Sequence, residues 1–158
     1  MQKLLYFLQE TGEQSGLKFA KQRYGPYADA ARHAVVRLEG HYVTGFGDGT
    51  GPGHVRLLPG ALDEATAFLD DHPQTRERYA RVEALIDGFE TPYGLELLAT
   101  THWVAVHDGA RDPSTAAQLV RQWSPRKARL FTDEHVAVAW QRLEQGGWLA
   151  GARSPVGV

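Results

Sequence analysis

The sequence predicts a mainly α (α+β) fold, a compact domain of about six to seven helices with a small antiparallel β-hairpin. Apolar residues recur at three- and four-residue spacing through most of the chain. Thr91-Pro92 and Asp112-Pro113 are helix starts, pairing an N-cap oxygen with proline at the first helical position. Two short apolar runs flank the glycine-dense segment 47–53, the pattern of a hairpin with a long connection.

Taken in order, residues 2–11 read as a helix with Leu4, Leu5 and Leu8 on one stripe joined by Tyr6 and Phe7, ended by Gly12. Residues 17–24 alternate partly, as a short strand or extended arm, and run into the turn Tyr24-Gly25-Pro26-Tyr27. A helix over 28–39 carries Ala31, Ala34, Val35 and Leu38, with Gly40 as its stop. The hairpin follows over 41–46 and 54–58. Helices over 61–70 and 73–88 read as a helical hairpin. The helix from Thr91 to about position 106 is apolar on most sides and is expected at the centre of the core. Helices over 113–123 and 132–146 complete the set, with a turn at Pro125 between them. Residues 1–150 are expected as a single domain and 151–158 as a frayed tail.

At 158 residues the chain is long enough to bury one core without a disulfide or metal, and it contains no cysteine. Disulfide scaffolds, thiolate zinc sites, iron–sulfur clusters and cysteine nucleophiles are thereby excluded. No apolar run reaches membrane-spanning length and the first dozen residues lack a signal-peptide pattern, so a soluble, cytoplasmic protein is expected. The formal charge of −2 argues against a surface built wholly to attract nucleic acid. Its distribution is uneven: residues 60–100 hold nine acids against three arginines, whereas each flank is slightly basic. Such an acidic middle suits either a solvated helix face or a basic partner.

Seven histidines invite a metal or acid–base reading, but their spacing does not support one. His102 and His107 are five apart, about 140° out of phase on a helix, and His135 sits among acids at a helix start. No serine has a nucleophile-elbow context, and the Gly45-x-Gly47-x-Gly49 run lacks the strand, helix and lysine that a nucleotide loop needs. No catalytic, cofactor or metal site is expected. The C-terminal third resembles half of a winged-helix module, with Arg121, Arg126, Lys127 and Arg129 as a basic edge. Its last helix nevertheless begins with Asp133 and Glu134, the wrong charge for reading bases. A DNA-binding transcriptional regulator is therefore the alternative reading, and a hydrolase using one of the histidines a third.

The strongest features are aromatic and small residues at turns: Tyr24-Gly25-Pro26-Tyr27, Arg37-Leu38-Glu39-Gly40-His41-Tyr42, and Phe89-Glu90-Thr91-Pro92-Tyr93-Gly94. They either fasten loops to the core or present rigid tyrosines beside acids as interface anchors. These segments, with Lys3-Leu4-Leu5-Tyr6-Phe7, Gly45-Phe46-Gly47-Asp48-Gly49 and Leu95-Glu96-Leu97-Leu98-Ala99-Thr100, resemble the C-terminal region of the DarG antitoxin family over nearly the whole chain. The opening residues and the Tyr-Gly-Pro also resemble the broader SocA-like or Panacea antitoxin domains.

The resemblance implies a toxin–antitoxin setting in which the partner is a DNA ADP-ribosyltransferase and a DNA ADP-ribosyl glycohydrolase macrodomain precedes this region. This chain has no macrodomain pattern, so a non-enzymatic, toxin-binding antitoxin domain is expected. No cofactor, membrane contact or direct DNA binding is expected. A DNA-modifying toxin needs a positive channel, which an acidic segment with aromatic anchors would fill by DNA mimicry. Tyr24, Tyr27, Glu39, Tyr42, Asp48, Glu90, Tyr93 and Glu96 are the residues expected to bind the partner.

Overall fold

The computed structural model describes residues 1–47 and 54–150; Asp48 and the expected tail lie outside the described residues. Eight helices and two small two-stranded sheets are present among those described. The chain divides into two units, Met1–Ala20 with Tyr27–Val82 and Lys21–Pro26 with Glu83–Val158.

In the first unit, α1 (Gln2–Glu10) buries Tyr6 and Phe7 completely, and Phe19 meets the Tyr6 ring edge-on at 5.3 Å. Amide side chains do the work of backbone partners here. Gln2 donates from Nε2 to Ala28 O and accepts from Ala28 N, both at 3.1 Å. That reciprocal pair fixes the start of α2 (Asp29–Leu38), whose N-cap Ala28 has no side-chain oxygen to offer. Gln9 repeats the device on Leu17, donating to its carbonyl at 3.0 Å and accepting from its N–H at 2.9 Å.

The strands β1 (Ala20–Gln22) and β2 (Gly25–Tyr27) pair around positions 23 and 24, where only a turn was expected at 24–27. The expected hairpin is present but short: β3 (Val43–Thr44) pairs antiparallel with β4 (Arg56–Leu57), Val43 opposite Leu57 and Thr44 opposite Arg56. Gly45 has φ of +89°, and a Cβ there would stand 2.3 Å from the His54 carbonyl oxygen, so glycine is required where the strands separate. α3 (Ala61–Asp71) and α4 (Pro73–Ile86) follow, divided by His72 alone.

In the second unit, α5 (Pro92–Val106) lies against both α6 (Pro113–Trp123) and α8 (Asp133–Gln145), and buries residues on most of its faces, as its composition predicts. One helix was not foreseen. Residues Pro125–Leu130 form α7 rather than a simple turn, packed on α6. Six residues are too few to show a period, but the start signal was present: Ser124 Oγ accepts from Lys127 N at 3.2 Å and Pro125 takes the first position. The same geometry opens α5, α6 and α8, where Thr91, Asp112 and Thr132 accept from Gly94, Thr115 and His135.

His102 lies within this core, its Nε2 donating to Trp148 O at 3.2 Å and its ring edge-on to the Trp148 indole. Burial lowers its pKa to about 4, the Trp148 carbonyl opposing the shift. The unfolded chain therefore binds a proton that the native chain refuses as pH falls from 6.5 towards 4, and stability is lost across that window. Thermal melts are expected to shift downward below pH 6.5 in the wild type, and more shallowly in His102→Gln. Parallel pH profiles for the two proteins would refute the assignment.

Candidate functional site

The residues expected to bind a partner fall in both units. In the first, Glu39 is a structural hook. It follows α2, and its two carboxylate oxygens accept from Gly45 N at 2.9 Å and Phe46 N at 3.0 Å, holding the end of β3. Tyr42 is exposed on the same turn, and Tyr27 is half-buried at the end of β2. In the second unit Glu90 is exposed, Tyr93 is half-buried on the first turn of α5, and Tyr24 is exposed. The Arg126 guanidinium lies 4.7 Å from the Tyr24 ring centroid, within cation–π range.

Glu96 points inward and is only 7% exposed, so it is removed from the expected contact surface. Arg126 grips it with two donors, at 2.6 and 3.2 Å, and Lys127 Nζ reaches Oε1 at 2.7 Å and Thr100 Oγ1 at 3.0 Å. Lys127 is fully buried, its ammonium 5.1 Å from the ring centroids of both Trp123 and Phe131. Burial pushes the Glu96 carboxyl up, but the hydrogen bonds from Arg126 and Lys127 outweigh it and hold the pKa below the ordinary value. Burial lowers the Lys127 ammonium, against the pull of Glu96.

This network changes the meaning of the basic C-terminal edge. Arg126 and Lys127 are engaged with Glu96, and Arg121 is ion-paired with Asp133. Three of the four cations assigned to that edge thus answer to carboxylates of the same unit, which disfavours the DNA-reading alternative.

An open cleft of about 350 Å³ lies in the second unit, lined by Phe89, Tyr93, Leu97, His135, Val138 and Arg142 among others. Its floor depends on Gly94, because a Cβ there would come within 2.6 Å of Phe89 O. The Phe89–Thr91 turn can therefore lie directly on the first turn of α5. Arg142 stacks on Phe89 at 5.4 Å and donates to the Ala84 and Leu85 carbonyls at 3.3 and 3.4 Å, capping the end of α4. The Tyr93 hydroxyl lies 2.6 Å from His135 Nδ1 and donates to Leu130 O at 3.2 Å, so His135 Nδ1–H is the donor to Tyr93 in that arrangement. Burial raises the Tyr93 pKa, with Glu96 adding to it.

Of this cleft only Tyr93 was foreseen, with Glu90 on the adjoining turn. His135, Val138 and Arg142 stand at i, i+3 and i+7 on α8, a stripe that the sequence does carry but that the acids at the helix start obscure. Among the described residues no group of three or more His, Asp or Glu side chains is placed to hold a metal ion. Nor is any helix among them long and apolar enough to cross a membrane.

Glu96→Gln is expected to destabilise the fold by about 3 kcal/mol, because it leaves the Lys127 ammonium buried without a full counter-charge. Glu96→Leu combined with Lys127→Met is expected to cost clearly less. Chemical denaturation of the three proteins measures both; a neutral Glu96→Gln would show that the network does not hold the unit. Gly94→Ala is expected to cost about 2 kcal/mol through the clash with Phe89, read by the same denaturation.

No protein-family model matches the chain. It is 51% identical over 148 residues to a DNA ADP-ribosyl glycohydrolase of Thermus aquaticus, which covers 94% of this chain and 41% of the relative. Proteins of the same name from Mycobacterium bovis and Mycobacterium tuberculosis are each 40% identical over 150 residues, covering 90% of this chain and 43% of theirs. The chain thus spans about two fifths of the length of the curated relatives it matches. These matches are to DNA ADP-ribosyl glycohydrolases, in line with the family resemblance of the sequence, and they correct one expectation. The chain was read as non-enzymatic, whereas the relatives that cover nine tenths or more of it bear the name of an enzyme.

Proposed function

We propose that the chain is a segment of a DNA ADP-ribosyl glycohydrolase of the DarG family, and that this segment binds and neutralises a DNA ADP-ribosyltransferase toxin by occluding its DNA-binding and active-site cleft. The observation that carries the reading is the 51% identity over 94% of the chain with a protein named for removing ADP-ribose from DNA. An enzyme that erases a mark and a segment that silences the protein writing it serve the same end.

Three features of the chain support the binding role. Tyr24 and Tyr42 are large, exposed and rotationally simple, the side chains that give contact area at low entropic cost. Glu90 is an exposed acid on the turn beside the Phe89–Arg142 cleft, which offers a partner an apolar recess. The engaged cations of the C-terminal third reduce the positive charge that would repel a DNA-binding protein. Tyr27, Tyr93 and Asp48 complete the proposed contact set, while Glu39 and Glu96 act on the fold.

The enzyme name gives weight to the hydrolase reading as well, and one observation favours it. His135 is exposed in an open cleft with Nδ1 hydrogen-bonded to a tyrosine hydroxyl, the arrangement that general acid–base chemistry uses. Release of ADP-ribose from modified DNA by the purified chain, lost in a folded His135→Gln variant, would establish it. Equal turnover by both proteins, or none by either, would exclude it.

The binding role is tested by mixing the chain with the paired transferase. Co-elution with suppression of DNA modification is expected, at nanomolar affinity worth about −12 kcal/mol. Combined Tyr24→Ala, Tyr42→Ala, Glu90→Ala and Tyr93→Ala is expected to weaken binding about tenfold or more. Separate elution, with modification unimpeded, contradicts the proposal.

A further inference from the structure

The helix α3, Ala61–Asp71, is amphipathic, yet most of its apolar stripe is exposed. At 100° per residue Ala61, Leu62, Ala65, Phe68 and Leu69 fall within an arc of about 120°, the width of a stripe that normally faces a core. Of these only Ala61 is buried and Leu69 is half-buried. Leu62 remains 65% exposed and Phe68 55% exposed. An eleven-residue helix is marginal in water without burial of its apolar side. Acids line the rest of its surface: Asp63, Glu64 and Asp71 are exposed, Asp70 is exposed but paired with Arg76 at 2.7 Å, and the helix itself contains no lysine or arginine.

Phe68 is moreover held in place. The His72 ring stacks on it at 3.9 Å and 15°, while His72 Nδ1–H donates to Phe68 O at 2.7 Å. An exposed aromatic ring fixed by its neighbour loses little freedom on docking, which is the property of an interface anchor.

We propose that α3 is a docking helix, and that its occupant is a protein surface forming a cationic groove with an apolar floor. Leu62, Ala65, Phe68 and Leu69 fill the floor, and Asp63, Glu64 and Asp71 face the groove's basic walls. The charge selects this occupant: two copies of α3 laid face to face would set Asp63, Glu64 and Asp71 against the same three acids, and anionic lipid would repel the same row. The inference rests on the reading above in one respect, that the groove belongs to the DNA-facing side of the transferase, which must be cationic to hold a phosphate backbone.

Calorimetry of the chain against the paired transferase tests it with Phe68→Ala, with Leu62→Ser/Phe68→Ala, and with Asp63→Asn/Glu64→Gln/Asp71→Asn. Phe68→Ala is expected to weaken binding about 30-fold or more with little change in melting temperature, since the ring is exposed. The charge variant is expected to slow association and flatten its dependence on salt. Hydrogen exchange on the wild-type complex needs no substitution and should slow across Ala61–Asp71. If the Leu62→Ser/Phe68→Ala protein binds as tightly as the wild type and exchange in α3 is unchanged, the docking helix is wrong while transferase binding stands. If the wild-type chain does not bind the transferase, transferase binding itself fails and the assigned occupant with it. Self-association in sedimentation that Phe68→Ala abolishes assigns the stripe to a second copy and overturns the inference.

Discussion

A single buried carboxylate organises the second unit. Glu96 lies on the most enclosed helix, and two consecutive cations of α7 converge on it, one of them without any exposure to water. An isolated ammonium in that position would be too costly to keep charged, so Lys127 and Glu96 require one another. The consequence is geometric as well as energetic. The short helix α7 has few residues with which to pack, and Arg126 and Lys127 tie it to α5 from one side while Trp123 and Phe131 enclose the ammonium. The Arg126 guanidinium then lies over the Tyr24 ring, so an exposed aromatic ring is supported by a half-buried charge that Glu96 holds.

The first unit solves a related problem with neutral and acidic side chains. Gln2, Gln9 and Glu39 each complete backbone hydrogen bonds that a helix start, a connecting segment or a strand end leaves open. Two amides and one carboxylate thereby order segments that have little apolar surface of their own. This explains how the segments between the helices of this unit are defined although β3 and β4 are only two residues long. It also separates acids that look alike in sequence: Glu39 fastens a strand, whereas Asp63, Glu64 and Asp71 of α3 are exposed.

Helices were legible wherever a cap and a period coincided. Thr91, Asp112 and Thr132 mark their helices correctly, and the greasy composition of α5 correctly places it against two other helices. What was hidden required knowledge of neighbours in space. Nothing in the run Arg126-Lys127 distinguishes a solvated basic edge from a pair of cations around a buried Glu96 thirty residues earlier. The α7 start at Ser124-Pro125 carried the same signal as the others but no period to support it. The Phe89–Arg142 cleft joins residues some fifty positions apart, and only the fold brings His135 to Tyr93.

These features give the chain an outward character at odds with its linear charge map. The basic third is largely neutralised by its own carboxylates, while Asp63, Glu64 and Asp71 of α3 remain on the surface beside a largely exposed apolar stripe. A surface of that kind suits contact with a cationic protein better than contact with nucleic acid. Fluorescence anisotropy of a labelled DNA duplex titrated with the chain at low ionic strength tests this most directly. The account predicts no saturable binding at micromolar protein. Tight binding that weakens steeply with added salt would contradict it.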